Sequence, residues 1–136
     1  EEQLGTKLFE RRHRQVLLAE GDPLLEGVEL IGGEPRMLHL YTSEGRVEQV
    51  RARWEASEGA RSWVMSRGEA IAAGLFGAVD VAVRPRIGDV LVAARSGIVY
   101  YDDRVVDKAA QKMIGQHGSL TAEETVVPLL RLGAFA

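Results

Sequence analysis

Met37-Leu38-His39-Leu40-Tyr41 alternates so that Leu38 and Leu40 share one side of a strand while Met37, His39 and Tyr41 share the other. Thr42-Ser43-Glu44 follows as a helix-start signal. Val47, Val50 and Trp54, at i, i+3 and i+7, predict an amphipathic helix from about residue 45 to 57, closed by Gly59. Ser62-Trp63-Val64-Met65 then reads as a second strand. Ser66 and Glu69 have the spacing of a capping box, in which the hydroxyl satisfies a free helix amide and the carboxylate returns to the serine amide. That box predicts a short helix from Arg67 to Ala73, stopped by Gly74. Strand, helix, strand, helix is the pattern of an α+β fold: a mixed sheet with helices packed on it.

Working upstream, Val28 to Ile31 is an apolar run ending at Gly32-Gly33. Asp22-Pro23-Leu24-Leu25 with Gly27 is a helical turn with a glycine stop, and Val16 to Ala19 is a short strand. Leu4, Leu8 and Phe9 mark one face of a possible helix that Gly5 weakens. Working downstream, Gly77 to Pro85 is a connection with alternating Val79, Val81 and Val83, and Gly88-Asp89 is a turn. Val90 to Ala94 and Ile98 to Tyr101 read as a hairpin joined through Arg95-Ser96-Gly97. Val105 to Lys112 reads as a weak helix or a loop.

Composition narrows the function classes. A net charge of -3 over 136 residues offers no footprint for a nucleic-acid polymer or an anionic membrane. The one dense basic run, Arg11-Arg12-His13-Arg14, reads as a solvated helix face or a linker. Without cysteine there is neither a disulfide nor thiolate chemistry. The chain opens Glu1-Glu2-Gln3 with no basic start or apolar core of a signal peptide. Its longest apolar stretch, Ala70 to Val79, is far shorter than the roughly 20 residues of a spanning helix. The expectation is a cytoplasmic protein without a membrane partner.

Chemistry concentrates in Gly115-Gln116-His117-Gly118-Ser119-Leu120-Thr121-Ala122-Glu123-Glu124, followed by Val126-Val127-Pro128-Leu129-Leu130. Glycines two before and one after His117 allow a sharp turn and close approach of another group. A neutral imidazole is a good zinc ligand. On spacing alone, a lone histidine between glycines reads more readily as a loop residue with one hydrogen bond, because a zinc site needs three or four ligands. Ser119 and Gln116 are poor zinc ligands, and neither His13 nor His39 has metal-ligand spacing to it. Thr121 and Glu124 have the spacing of a second capping box, and Val126 to Leu130 reads as a buried strand. Arg84 and Arg86 have the chemistry to contact a phosphate, or to pair with Asp89 or Asp80. Trp54 and Trp63 lie on apolar faces that suit core packing better than nucleobase stacking.

The 115–130 stretch resembles the closing motif of type I phosphodiesterases/nucleotide pyrophosphatases of the alkaline phosphatase superfamily, where a histidine in a glycine-rich loop precedes a Val-Pro-Leu-Leu-like run. Gly33-Glu34-Pro35-Arg36, Arg67-Gly68-Glu69-Ala70-Ile71-Ala72-Ala73-Gly74-Leu75-Phe76-Gly77 and Arg84-Pro85-Arg86-Ile87-Gly88-Asp89 resemble bacterial members in the expected order, so that residues 22 to 132 are covered. The resemblance implies a hydrolase with two zinc ions, acting on nucleotide or other small phosphodiester or pyrophosphate substrates through a threonine or serine nucleophile. It makes His117 the last protein ligand of one zinc.

The family's Asp-His-Gly motif is absent, and Thr6, Thr42, Thr121 and Thr125 lie in none of the nucleophile contexts. The expectation is therefore a fragment that cannot catalyse alone, partnered by an N-terminal catalytic portion. Residues 1–21 would be an atypical N-terminal segment, 22–114 a cap-like α+β region, and 115–136 the metal-ligand loop and the strand returning to an α/β core. The alternative is a stand-alone α+β ligand-binding or protein-interaction module. An apolar strand intended for a larger sheet would also promote self-association through Val126, Val127, Leu129 and Leu130.

Overall fold

The structure is a computed structural model and describes residues 13–130. The helical face at Leu4, Leu8 and Phe9 lies outside the described residues. The architecture is α+β, with two sheets. A four-stranded antiparallel sheet has the order β2-β3-β5-β4, formed by β2 (Val28–Glu34), β3 (Met37–Thr42), β4 (Ser62–Ser66) and β5 (Val90–Ala94). Beside it, β1 (Arg14–Leu18) pairs in parallel with β6 (Ile98–Asp102).

β5 explains the arrangement. Its sequence, Val-Leu-Val-Ala-Ala, carries no polar side chain, and all five residues are buried. A strand covered on both faces reads as a continuous apolar run, which is the signature of a central strand. Leu38 pairs with Val92 and Leu40 with Val90 on one edge, while Val64 pairs with Val92 on the other. Both edges are therefore occupied. This corrects the expected 90–101 hairpin: both strands exist, but β6 finds no free edge on β5 and crosses to β1 instead. The turn between β2 and β3 reaches the parallel pair through Pro35 O, which accepts from Tyr100 N at 2.8 Å, while Arg36 O accepts from Ala94 N of β5 at 2.9 Å.

The main core lies between one face of the large sheet, the parallel pair and helix α1 (Val47–Glu58). Leu38, Leu40, Val90 and Val92 meet Val50 and Trp54 from the helix and Leu18, Ile98 and Tyr100 from the pair. Trp54 is fully buried, donates from Nε1 to Leu24 O at 2.9 Å, and meets the Tyr100 ring edge-on at 5.6 Å. The helix begins two residues later than expected. Its N-cap is Arg46, without a side-chain cap, after a turn in which Arg46 N donates to Ser43 O.

The other face of the sheet carries a smaller cluster of Ala70, Ile87 and Leu91 beneath α2 (Arg67–Ala72). The capping box forms as read: Ser66 Oγ accepts from Glu69 N, and Glu69 Oε2 accepts from Ser66 N. The helical turn after Asp22 also forms, over Pro23–Leu25 with Asp22 as its cap.

At the C-terminal side the reading needs correction. Val126 to Leu130 is not a buried core strand: it belongs to no sheet, and Val126, Val127, Leu129 and Leu130 are 74–85% exposed. No helix among the described residues is long and apolar enough to cross a membrane.

Candidate functional site

The His117 loop is held by an anchor on either side. Gln116 Nε2 donates to Tyr101 Oη at 3.1 Å and to Ala110 O at 3.3 Å. Ser119 is buried and donates from Oγ to Ala94 O at 2.5 Å. Between them Gly118 adopts φ +109°, a conformation that side chains rarely take, and it lies against Glu34, whose Cβ would be 3.3 Å from an added methyl. His117 itself is exposed and makes no hydrogen bond among the described residues.

Beneath the loop is a buried ion pair that sequence spacing does not disclose. Arg36 is 3% exposed, and all five of its guanidinium N–H groups have an acceptor. Nε and Nη2 meet the Glu124 carboxylate at 2.7 and 2.9 Å in a bidentate fork. Nη1 donates to Ser96 O and Ile98 O, both at 2.8 Å, and Nη2 reaches Ala94 O at 3.5 Å. The guanidinium thus fastens the corner between β5 and β6 to the short helix α3 (Ala122–Thr125). Glu124 also accepts from Ser119 N at 3.1 Å and from Thr121 Oγ1 at 2.6 Å. Chiefly the Arg36 bond, reinforced by these, pulls its carboxyl down to about 2.

The second capping box is corrected by the same pair. The helical turn does begin after Thr121, but Glu124 serves Arg36 and Ser119 rather than the Thr121 amide. A bidentate pair of full charges outcompetes a single cap hydrogen bond.

Above this pair lies an open cavity of about 730 Å³, lined by residues that include His13, Arg36, Arg95, His117, Glu123 and Glu124. The structure thus brings His13 and His117 to one cavity, which their separation of more than a hundred residues does not announce. His13 Nδ1 is buried without a partner among the described residues. Burial, and then the nearby Arg36 cation, hold the His13 imidazole below its ordinary value, so it stands neutral.

No group of three or more His, Cys, Asp or Glu among the described residues could hold a metal ion. Glu124 is committed to Arg36, and the Arg36 charge opposes a second cation beside it.

The other predicted residues stand apart from this cavity lining. Arg84 and Arg86 occupy an exposed 3₁₀ turn on the loop between α2 and β5. Neither pairs with Asp80 or Asp89. Asp89 takes Arg67 at 2.7 Å, and Asp80 accepts from Ala82 N at 2.7 Å. Trp54 is core, as read. Trp63 is half-buried at the sheet edge with the Arg95 guanidinium 5.2 Å from its ring centre.

A second buried polar network, at the C-terminus of α1, is also structural. Tyr100 Oη donates to Glu58 Oε2 at 2.6 Å and lies 2.7 Å from Ser62 Oγ, while Arg61 forks onto the Glu58 carboxylate. Burial and the Glu58 bond raise the Tyr100 hydroxyl far above its ordinary value. Burial alone would raise Glu58, but bonds from Arg61, Tyr100 and Ser57 together hold it low.

No family model matches the chain, and a comparison with curated proteins finds no match either.

Proposed function

We propose that these residues are the closing portion of a two-zinc phosphodiesterase/nucleotide pyrophosphatase, to which they contribute His117 as one metal ligand. The nucleophile and the other ligands belong to an N-terminal catalytic portion. The observation that carries the reading is the His117 loop: an imidazole with no hydrogen bond to the described residues, held by an anchor on each side and followed by an apolar row that no described residue covers. With both ring nitrogens open, the imidazole is available to a metal brought by a second portion.

In this reading the chain binds and orients rather than reacts. Gln116 and Ser119 hold the loop, the Arg36–Glu124 pair holds the helix behind it, and Val126 to Leu130 docks on the catalytic portion. The substrate is a small nucleotide or another phosphodiester. The experiment is hydrolysis of a nitrophenyl phosphodiester by the protein expressed with its upstream catalytic portion, compared with His117→Ala. Loss of turnover by orders of magnitude, as for a lost metal ligand, supports the reading; an unchanged rate refutes it.

The second reading, a stand-alone ligand-binding module, draws on the open cavity above Arg36. It requires a ligand that binds the isolated chain and protects His13 and His117 from modification.

A further inference from the structure

The loop from Gly74 to Asp89 crosses the outer face of the large sheet, and hydrogen bonds made by Tyr41, Thr42 and His39 of β3 hold its far end. Tyr41 Oη donates to Arg86 O at 2.6 Å, and Asp89 Oδ2 accepts from Thr42 N at 2.9 Å. Between them, His39 Nδ1 accepts from Gly88 N at 3.2 Å. The fit is close. A Cβ on Gly88 would come within 2.8 Å of His39 Cα, His39 Cβ and Leu40 N, so no water fits between the two backbones. Phe76, from the start of the same loop, meets the His39 ring edge-on at 6.1 Å.

An acceptor Nδ1 places the ring proton on Nε2. We infer that His39 is a proton-operated latch for this loop: protonation at Nδ1 turns the acceptor into a donor facing the Gly88 N–H, and the loop between α2 and β5 loosens from the sheet. Among the described residues no carboxylate is placed to reverse that effect. Asp89 is committed to Thr42 and Arg67, Asp80 to Ala82, and Arg67, Arg84 and Arg86 are all cations. Glu34, on the neighbouring strand, packs toward Gly118 at the other end of the site. Burial already holds the imidazole below its ordinary 6.5, so the latch is closed at neutral pH and opens on the acid side.

The loop is made to be noticed when it moves. It carries Leu75, Phe76, Val81 and Val83, all exposed, together with Arg84 and Arg86, and it contributes Ile87 to the smaller core against Leu91. Opening shifts the two arginines and uncovers the smaller core. This inference does not depend on the proposed zinc chemistry, because His39 and the His117 loop are held by different contacts.

The test is NMR of the 136-residue chain labelled with ¹⁵N, following the His39 ring nitrogens and the Gly88 amide through a pH titration. The expected result is neutral His39 in the Nε2–H form at pH 7. Gly88 exchange, relative to its intrinsic rate, should rise about tenfold as His39 titrates, the effect of one lost buried hydrogen bond. In His39→Asn, which keeps an acceptor at the Nδ1 position but cannot titrate, the rise should vanish. A Gly88 amide that ignores the His39 titration would overturn the latch, and so would an equal rise in His39→Asn. Should His39→Asn not fold, the coincidence of the two titrations in the unaltered chain decides alone.

Discussion

Replacing Glu124 by glutamine isolates the charge that holds the His117 loop in place. The shape barely changes, and one oxygen remains to accept from Arg36, but the amide nitrogen now faces a guanidinium N–H. The carboxyl stands at about 2 against an ordinary 4.5. At about 1.36 kcal/mol per pH unit, that difference is worth about 3 kcal/mol of stability. The side chains are only 4% and 11% exposed, so solvent screens little of it. The figure also falls at the low end of the roughly 3–5 kcal/mol lost when one partner of a buried pair is removed. The sign follows from linkage. The folded carboxyl is more acidic than the unfolded one, so its contribution is full above about 4.5 and is lost as pH falls toward about 2. Urea unfolding of chain and variant, followed by tryptophan fluorescence between pH 7 and pH 2.5, reads the difference directly. The expected gap is about 3 kcal/mol at pH 7, closing across the acid range. A gap below about 0.5 kcal/mol at pH 7, or one that does not change with pH, would refute the assignment of Arg36–Glu124 as the fastener.

Three other outcomes follow from particular contacts. Tyr100→Phe leaves Ser62 Oγ unpaired and takes one bond from Glu58, so it should cost about 1–3 kcal/mol in the same unfolding assay. Gly88→Ala places a methyl 2.8 Å from the β3 backbone, which cannot move aside; a loss of about 1–3 kcal/mol is expected by thermal melting, against little change for Gly97→Ala, which meets nothing. His117→Ala should leave the melting curve of the chain within about 0.5 kcal/mol of the original, since the imidazole is exposed and supports no described contact.

The elements were largely legible in the sequence, and their partners less so. The alternation of Leu38 and Leu40 and the i, i+3, i+7 spacing of Val47, Val50 and Trp54 report local faces, and both faces are buried as read. Partnership is a different matter. The three-residue link between β5 and β6 has the length of a hairpin loop, yet pairing depends on which edges are free, and β3 and β4 occupy both edges of β5. Thr121 and Glu124 carry a true capping-box spacing that yields to Arg36, a residue 88 positions away in sequence. The apolar composition of Val126 to Leu130 speaks for a covered strand, but composition cannot say what covers it. At the site, His117 was visible through its flanking glycines. His13, Arg36 and Arg95 were not, because nothing local distinguishes an arginine that bonds three distant carbonyls from one in solvent.

The central claim is that His117 completes a metal centre whose other ligands lie on a catalytic portion. Metal content measures this most directly, determined by elemental analysis of the protein carrying that portion, with and without His117→Ala, alongside the 136-residue chain. The account predicts two zinc ions for the complete protein, a loss of one in the variant, and none held stoichiometrically by the chain alone, since a single histidine falls short of the three or four protein ligands a zinc site needs. Full zinc occupancy in the His117→Ala protein, or stoichiometric zinc on the isolated chain, would contradict it.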